Sequence, residues 1–331
     1  MRGATWLPRR GFLSRRVLPG CLIVAAGAGS ANAQQPDSAA KSQWFTGSLI
    51  APSPALLKAG AFEIEPYLVY TGNTGSYAAN WSHHSVAHNL SEVQSETLVE
   101  YGITDRLSIQ AVPSFGALWT GQNSSFGSGD LPVELKYRFN DQNLATGAPS
   151  VTVFLGMSFP LGKYDGLTVP SVGQGSGAFT AKQGILLQSL FDTWGDHPLR
   201  LRLYADAFEP IADASVRDIS VYGTAQGFHG HAAPGFAADT GLGVEYGLSQ
   251  RWVLALDLVQ NYADTTHVSG AIGSAAVTTS KNPAGIAFSV APAVEYNFSG
   301  SVGLIVGVQF SVAGRYTGSY VAPQIALSAS F

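Results

Sequence analysis

From residue 61 onward, apolar and polar side chains alternate with a period of two. That period places successive side chains on opposite faces of an extended strand. Within 61–70, Phe62, Ile64, Leu68 and Tyr70 share one face, and Glu63, Glu65 and Tyr67 the other. Within 129–139, Leu131, Val133, Leu135, Tyr137 and Phe139 oppose Asp130, Glu134, Lys136 and Arg138. Stretches of this kind, separated by turn residues, predict strands at 61–70, 91–103, 107–120, 129–139, 149–159, 180–192, 199–209, 236–248, 251–263, 284–298, 301–312 and 320–331. After residue 33 no apolar run reaches the ~18 residues that a membrane-crossing helix needs, so any crossing would be made by strands.

The connections sort by parity. Those after even-numbered strands are mostly short: Thr104-Asp105-Arg106, 140–148, 193–198, Ser249-Gln250 and Ser299-Gly300. Those after strands one, five, seven and nine are long: 71–90, 160–179, 210–235 and 264–283. A soluble sandwich has no reason to sort its loops in this way. A transmembrane barrel with short periplasmic turns and long outer loops does, and this assignment places both chain ends in the periplasm. Aromatic residues on the apolar faces fall near strand ends. Phe62, Tyr101, Phe139, Phe191, Tyr246, Trp252, Phe298 and Phe331 would form a periplasmic girdle, and Tyr70, Trp119, Phe159, Phe236, Tyr262 and Phe310 an outer one. The expected fold is therefore an all-β, antiparallel transmembrane barrel of about 12 strands.

Composition agrees. Only 12% of residues are charged, against 46% hydrophobic, with 38 Gly and 13 Tyr; soluble domains carry about 25% charged residues. Residues 1–16 hold Arg2, Arg9, Arg10, Arg15 and Arg16 and no acid, an apolar run spans 17–29, and Ala31-Asn32-Ala33 is a small-x-small site. That order predicts a secretory signal peptide over 1–33, cleaved before Gln34. The apolar run is too short for a helical anchor. Cys21, the only cysteine, lies within it, so no disulfide or thiolate chemistry is expected in the exported part. Five of the 18 basic residues fall in the signal, leaving 13 against 22 acids. A chain so acidic is not expected to bind nucleic acid. The predicted organisation is a signal at 1–33, an N-terminal segment at 34–60 and a barrel at 61–331. Trp44-Phe45 and the stretch 51–57 are too apolar for a plain solvated tail. The segment is expected to pack at the periplasmic mouth, to enter the lumen as a partial plug, or to remain a disordered leader.

The end of the chain carries an assembly signature. Ile325, Leu327, Ala329 and Phe331 alternate up to a terminal Phe, a pattern similar to the last strand that outer-membrane assembly machinery recognises. Gly129-Asp130-Leu131 through Lys136-Tyr137-Arg138-Phe139 precedes Pro149 and a strand ending in Phe159-Pro160-Leu161-Gly162-Lys163-Tyr164. With the turn Tyr101-Gly102-Ile103-Thr104-Asp105-Arg106-Leu107, these motifs over 101–164 resemble the phenol-degradation meta-pathway family of outer-membrane proteins. The resemblance implies a barrel that takes up aromatic compounds.

Inward positions should hold the chemistry. Glu63, Glu65, Glu100, Glu134, Glu245 and Glu295, with Lys136, Arg138, Arg200 and Arg202, all fall toward the predicted periplasmic end. They are expected to form a charge network that constricts the lumen there, serving closure or selectivity, with Glu245 touching Arg200 and Arg202. Ser95, Ser114, Gly116, Gly156 and Ser158 would line a softer outer half. His83, His84, His88, His229 and His231 lie in predicted loops, where histidines are usually solvated; no metal or other cofactor is expected. Asp213, Asp218, His83 and Asp264 could serve a barrel protease only by composition, so an enzyme is not expected. The partners implied are the lipid bilayer of the bacterial outer membrane, its assembly machinery and a small-molecule solute. The expected role is a channel or uptake protein; the rival is a closed barrel whose surface loops act as a receptor or structural element.

Overall fold

The computed structural model of the chain describes residues 43–331, except 86–89, 144–145, 194–196 and 275–277. The predicted signal peptide, Cys21 and His88 lie outside the described residues. Twelve strands close into one antiparallel barrel. In chain order they are β1 (Phe62–Tyr77), β2 (Ser91–Thr104), β3 (Leu107–Ala111 continued by Ser114–Thr120), β4 (Leu131–Asn140), β5 (Ser150–Phe159), β6 (Thr180–Asp192), β7 (Pro198–Pro210), β8 (Ala237–Gly247), β9 (Trp252–Ala263), β10 (Gly285–Asn297), β11 (Val302–Arg315) and β12 (Thr317–Ser330). Each pairs with its sequence neighbour, and β12 returns to β1 through pairs such as Ile64 with Ala329 and Leu68 with Ile325. Closure leaves no free edge, which a strand surrounded by hydrocarbon cannot tolerate.

The two faces of the wall differ as the alternation requires. Leu68, Leu135, Leu155, Leu203, Leu254 and Val306 are exposed on the outside. Exposed apolar area spread around a whole barrel has hydrocarbon, not water, as its matching solvent. In β1 the exposed residues are Phe62, Ile64, Leu68 and Tyr70, while Glu63, Glu65 and Tyr67 are buried. Ser95 departs from expectation. It is exposed on the outward face, and Glu96 is buried in its place, because the parity set by Glu100 continues unbroken along β2.

Tight connections gather at one end of the barrel, between β2 and β3 and between β8 and β9 among others. The opposite, long-connection end is more ordered than a set of plain loops. β1 runs on to Tyr77, seven residues past its expected end, and pairs there with His83–Ser85. The segments Ala214–Arg217, Phe228–Ala233, Thr266–Ile272 and Thr278–Asn282 build a separate four-stranded sheet. Leu167, Val172, Val216, Tyr222, Phe228 and Val268 pack into its own apolar cluster. Its strands are four to seven residues long, too short for the ~9–11 residues of a membrane crossing. Strands this short carry too little alternation to be told from loops in the sequence.

Candidate functional site

The interior of the barrel holds the candidate site, and it begins with a segment that is not part of the wall. Residues 43–57 make polar and cation–π contacts with inward-facing side chains of β5, β7, β9 and β10. Trp44 N–H donates to the Gln250 carbonyl at the short-turn end, 3.2 Å away. Phe45, 2% exposed, lies under the Arg200 guanidinium, whose carbon is 4.1 Å from the ring centre. Thr46 and Gly47 donate their backbone N–H groups to Glu295 at 2.7 and 3.3 Å, and the Thr46 hydroxyl donates to Asn297 at 3.1 Å. Asp257 then collects the Ser48 hydroxyl in a short bond and the N–H groups of Ile50 and Ala51 at 3.1 and 3.2 Å. Arg202 donates to the Ala51 carbonyl at 3.1 Å and Thr152 to the Pro54 carbonyl at 2.6 Å. The chain then returns to the short-turn end, where Ala59 N–H donates to Asp105 and Gly60 N–H to Gly102.

An irregular backbone inside a barrel must find partners for every buried polar group, and here the wall's carboxylates and guanidinium supply them. The wall also makes room. A Cβ at Gly243 would stand 2.8 Å from the Ser48 hydroxyl and 2.9 Å from Ala51 Cβ, and one at Gly102 only 2.1 Å from the Lys58 carbonyl. Only glycine admits so close an approach.

Around this segment the charges form several close groups. Glu245 takes a two-pronged contact from Arg200, with Nε 2.7 Å from Oε2 and Nη2 in a shorter bond to Oε1. Arg202 Nε lies 3.2 Å from Glu245 Oε2 and donates to Gln188 at 3.2 Å. Lys136 bridges Glu100 at 2.9 Å and Gln110 at 3.0 Å. Glu63 accepts from Ser328 at 2.9 Å, and Glu65 from the Tyr67 hydroxyl at 3.2 Å. Glu134 is paired with Lys182 in a short contact. Arg138 stands apart from the rest: it reaches the short-turn rim, donating to the Asp105 carbonyl at 3.2 Å and lying 3.3 Å from Asp141.

Asp257, Asp239, Asp206, Glu96 and Lys182 also face the interior, and reading charges only near one end of each strand overlooks them. The signal was present. Asp257 has the parity of Val253, Ala255 and Val259, all buried on β9. Asp206 follows Arg200, Arg202 and Tyr204 at intervals of two on β7. Among the described residues the buried charges are nine carboxylates and three cations, so acid predominates in the lumen.

The loop residues do not converge. His83 is 2.8 Å from Ser319 Oγ and His84 3.0 Å from Ser82 Oγ. His229 and His231 sit on the separate four-stranded sheet, and no group of three or more His, Cys, Asp or Glu able to hold a metal occurs among the described residues. Asp218 caps a turn through Gln226 and Gly227, and Asp264 accepts from Thr265.

No protein-family model and no curated protein matches the chain. Among solved structures, the COG4313 outer membrane channel from Pseudomonas putida F1 superposes with a TM-score of 0.58, covering 84% of this chain and 97% of that one at 16% identity. The transport unit of the autotransporter AIDA-I from Escherichia coli gives a TM-score of 0.46 over 83% and 91%, at 10% identity. The first likeness establishes the fold as that of an outer-membrane β-barrel.

Proposed function

We propose that this chain is an outer-membrane uptake channel for small solutes whose lumen is held shut by an inserted N-terminal segment. The observation that carries the reading is the set of bonds from Asp257 and Glu295 to the backbone of residues 46–51. A stretch fastened by a few wall carboxylates inside a closed barrel is suited to reversible closure. Glu245, Arg200 and Arg202 form the charged collar around it, and Glu63, Glu65, Glu100, Lys136 and Glu295 complete the constriction. In this reading the short-turn end faces the periplasm, residues 1–33 are the export signal, and the alternation ending at Phe331 serves delivery to the assembly machinery. The solute is a small aromatic or apolar compound, in keeping with the family that the motifs over 101–164 resemble. A second reading, a closed barrel acting as a surface receptor, is favoured by one feature: the four-stranded sheet with its own apolar cluster at the long-connection end.

Planar-bilayer recording tests the channel reading, comparing the exported chain with a variant lacking residues 43–57. The expected result is rare, brief openings for the first and steady conductance for the second. Silence from both variants would reject the channel and leave the receptor.

A further inference from the structure

The long-connection half of the lumen carries a second set of charges that closure does not use. Asp206 on β7 and Asp239 on β8 are directly opposed in register, so two carboxylates stand side by side on the inner wall. Glu96 is buried on β2 with Glu92 as a neighbouring charge, and Lys182 is a neighbouring charge of both Glu96 and Asp206. Lys182, a cation close to these groups, is already paired with Glu134. Asn261 donates to one oxygen of Asp239 at 2.6 Å. The other oxygen of Asp239, itself 4% exposed, has no hydrogen-bond partner, and neither does Oδ1 of Asp206.

A group outside the acidic set points the same way. Tyr204 is 7% exposed, its electrostatic neighbours are Asp239, Asp257, Asp206 and Tyr320, and its hydroxyl makes no hydrogen bond among the described residues. Aromatic rings flank these groups. A Cβ at Gly184 would meet both Asp206 Oδ1 and the Phe154 ring, and Phe208 holds Lys182 over its face at 5.4 Å. Ionised carboxylates only accept hydrogen bonds, and ring faces attract cations. Lys182 and Asp206 retain partial exposure, so the space is reached by solvent.

We propose that this acidic and aromatic vestibule binds a small ammonium-type cation carrying an apolar or aromatic body, with Asp206, Asp239 and Glu96 as counter-charges and the Tyr204 hydroxyl as a further acceptor. The inference deepens the uptake reading by naming a charge class for the solute. Its test is binding, read without transport. The detergent-purified chain is titrated calorimetrically with benzylammonium and with benzoate, which share a ring and differ in charge. Benzylammonium should bind saturably to one site per chain, and benzoate should not. D239N should weaken binding roughly tenfold, the order expected for removing one close charge in a partly buried site, and D206N/D239N should abolish it. D141N, at the opposite rim, should change nothing. Variants that migrate on gels as intact, heat-modifiable barrels are scored. Equal binding of benzoate, no binding of benzylammonium to the wild type, or undiminished binding to D206N/D239N would each overturn the site. Loss of binding with conductance behaving as proposed rejects the vestibule alone; binding without conductance rejects the channel alone.

Discussion

Truncating Asp257 gives the most direct test of how the N-terminal segment is held. Its carboxylate accepts three bonds from that segment: the Ser48 hydroxyl and the N–H groups of Ile50 and Ala51 at 3.1 and 3.2 Å. D257A removes all three and leaves buried donors without an acceptor. At about 1 kcal/mol net for each bond, segment retention weakens by ~3 kcal/mol, which is roughly a 150-fold rise in the detached population. Glu295, Arg202 and Thr152 still hold the segment, so the barrel itself should stay folded. Ser53, 0% exposed, reports detachment when replaced by cysteine in a Cys21→Ser background. Maleimide labelling of S53C should be slow in the parent and accelerate by about two orders of magnitude with D257A, provided that reclosing outpaces labelling. D257N, which keeps one acceptor oxygen, should fall between the two. An unchanged labelling rate in D257A would mean that the carboxylate is not what retains the segment.

Glu245 offers a stability test. E245A strands Arg200 and Arg202, which are 5% and 0% exposed, and should cost about 3–5 kcal/mol, read as a lower midpoint of chemical unfolding; replacing all three with Met should recover much of the loss. Pro323 lies on the closing seam, where β1 and β12 pair at Val69 with Gln324 and at Gly72 with Val321 but not between. P323V restores a backbone donor there, so the barrel should withstand heating better by about 1 kcal/mol, measured by the temperature of the gel-mobility shift. A valine at Gly243 would crowd Ser48 and Ala51 and should raise S53C labelling even with Asp257 intact. Deleting Phe331 should lower the amount of chain recovered in the outer membrane while leaving refolding into detergent unaffected, since the terminal alternation is proposed as an assembly signal and its side chain is exposed.

Alternation along the chain determined the barrel. Side-chain direction in a strand is a property of neighbouring residues, so Phe62 outward and Glu63 inward follow from a two-residue repeat with no knowledge of what lies across the lumen. The same parity makes Asp257 and Asp206 legible as interior residues. What surrounds them is a different matter. Asp257 meets Ser48 across 209 positions, and Thr46 meets Glu295 across 249; only closure of twelve strands at one particular stagger brings them together. An irregular segment such as 43–57 has no periodicity to announce its partners, so its place inside the lumen rests on which wall donors and acceptors the closed barrel leaves unsatisfied. The short strands Ala214–Arg217 and Phe228–Ala233 pair with each other within one connection, but their sheet is completed only where Phe228–Ala233 meets Thr266–Ile272 of another connection. Local alternation decided which face each side chain takes, and tertiary closure decided which charges meet, because the first depends on backbone geometry alone and the second on contacts between residues that are hundreds of positions apart.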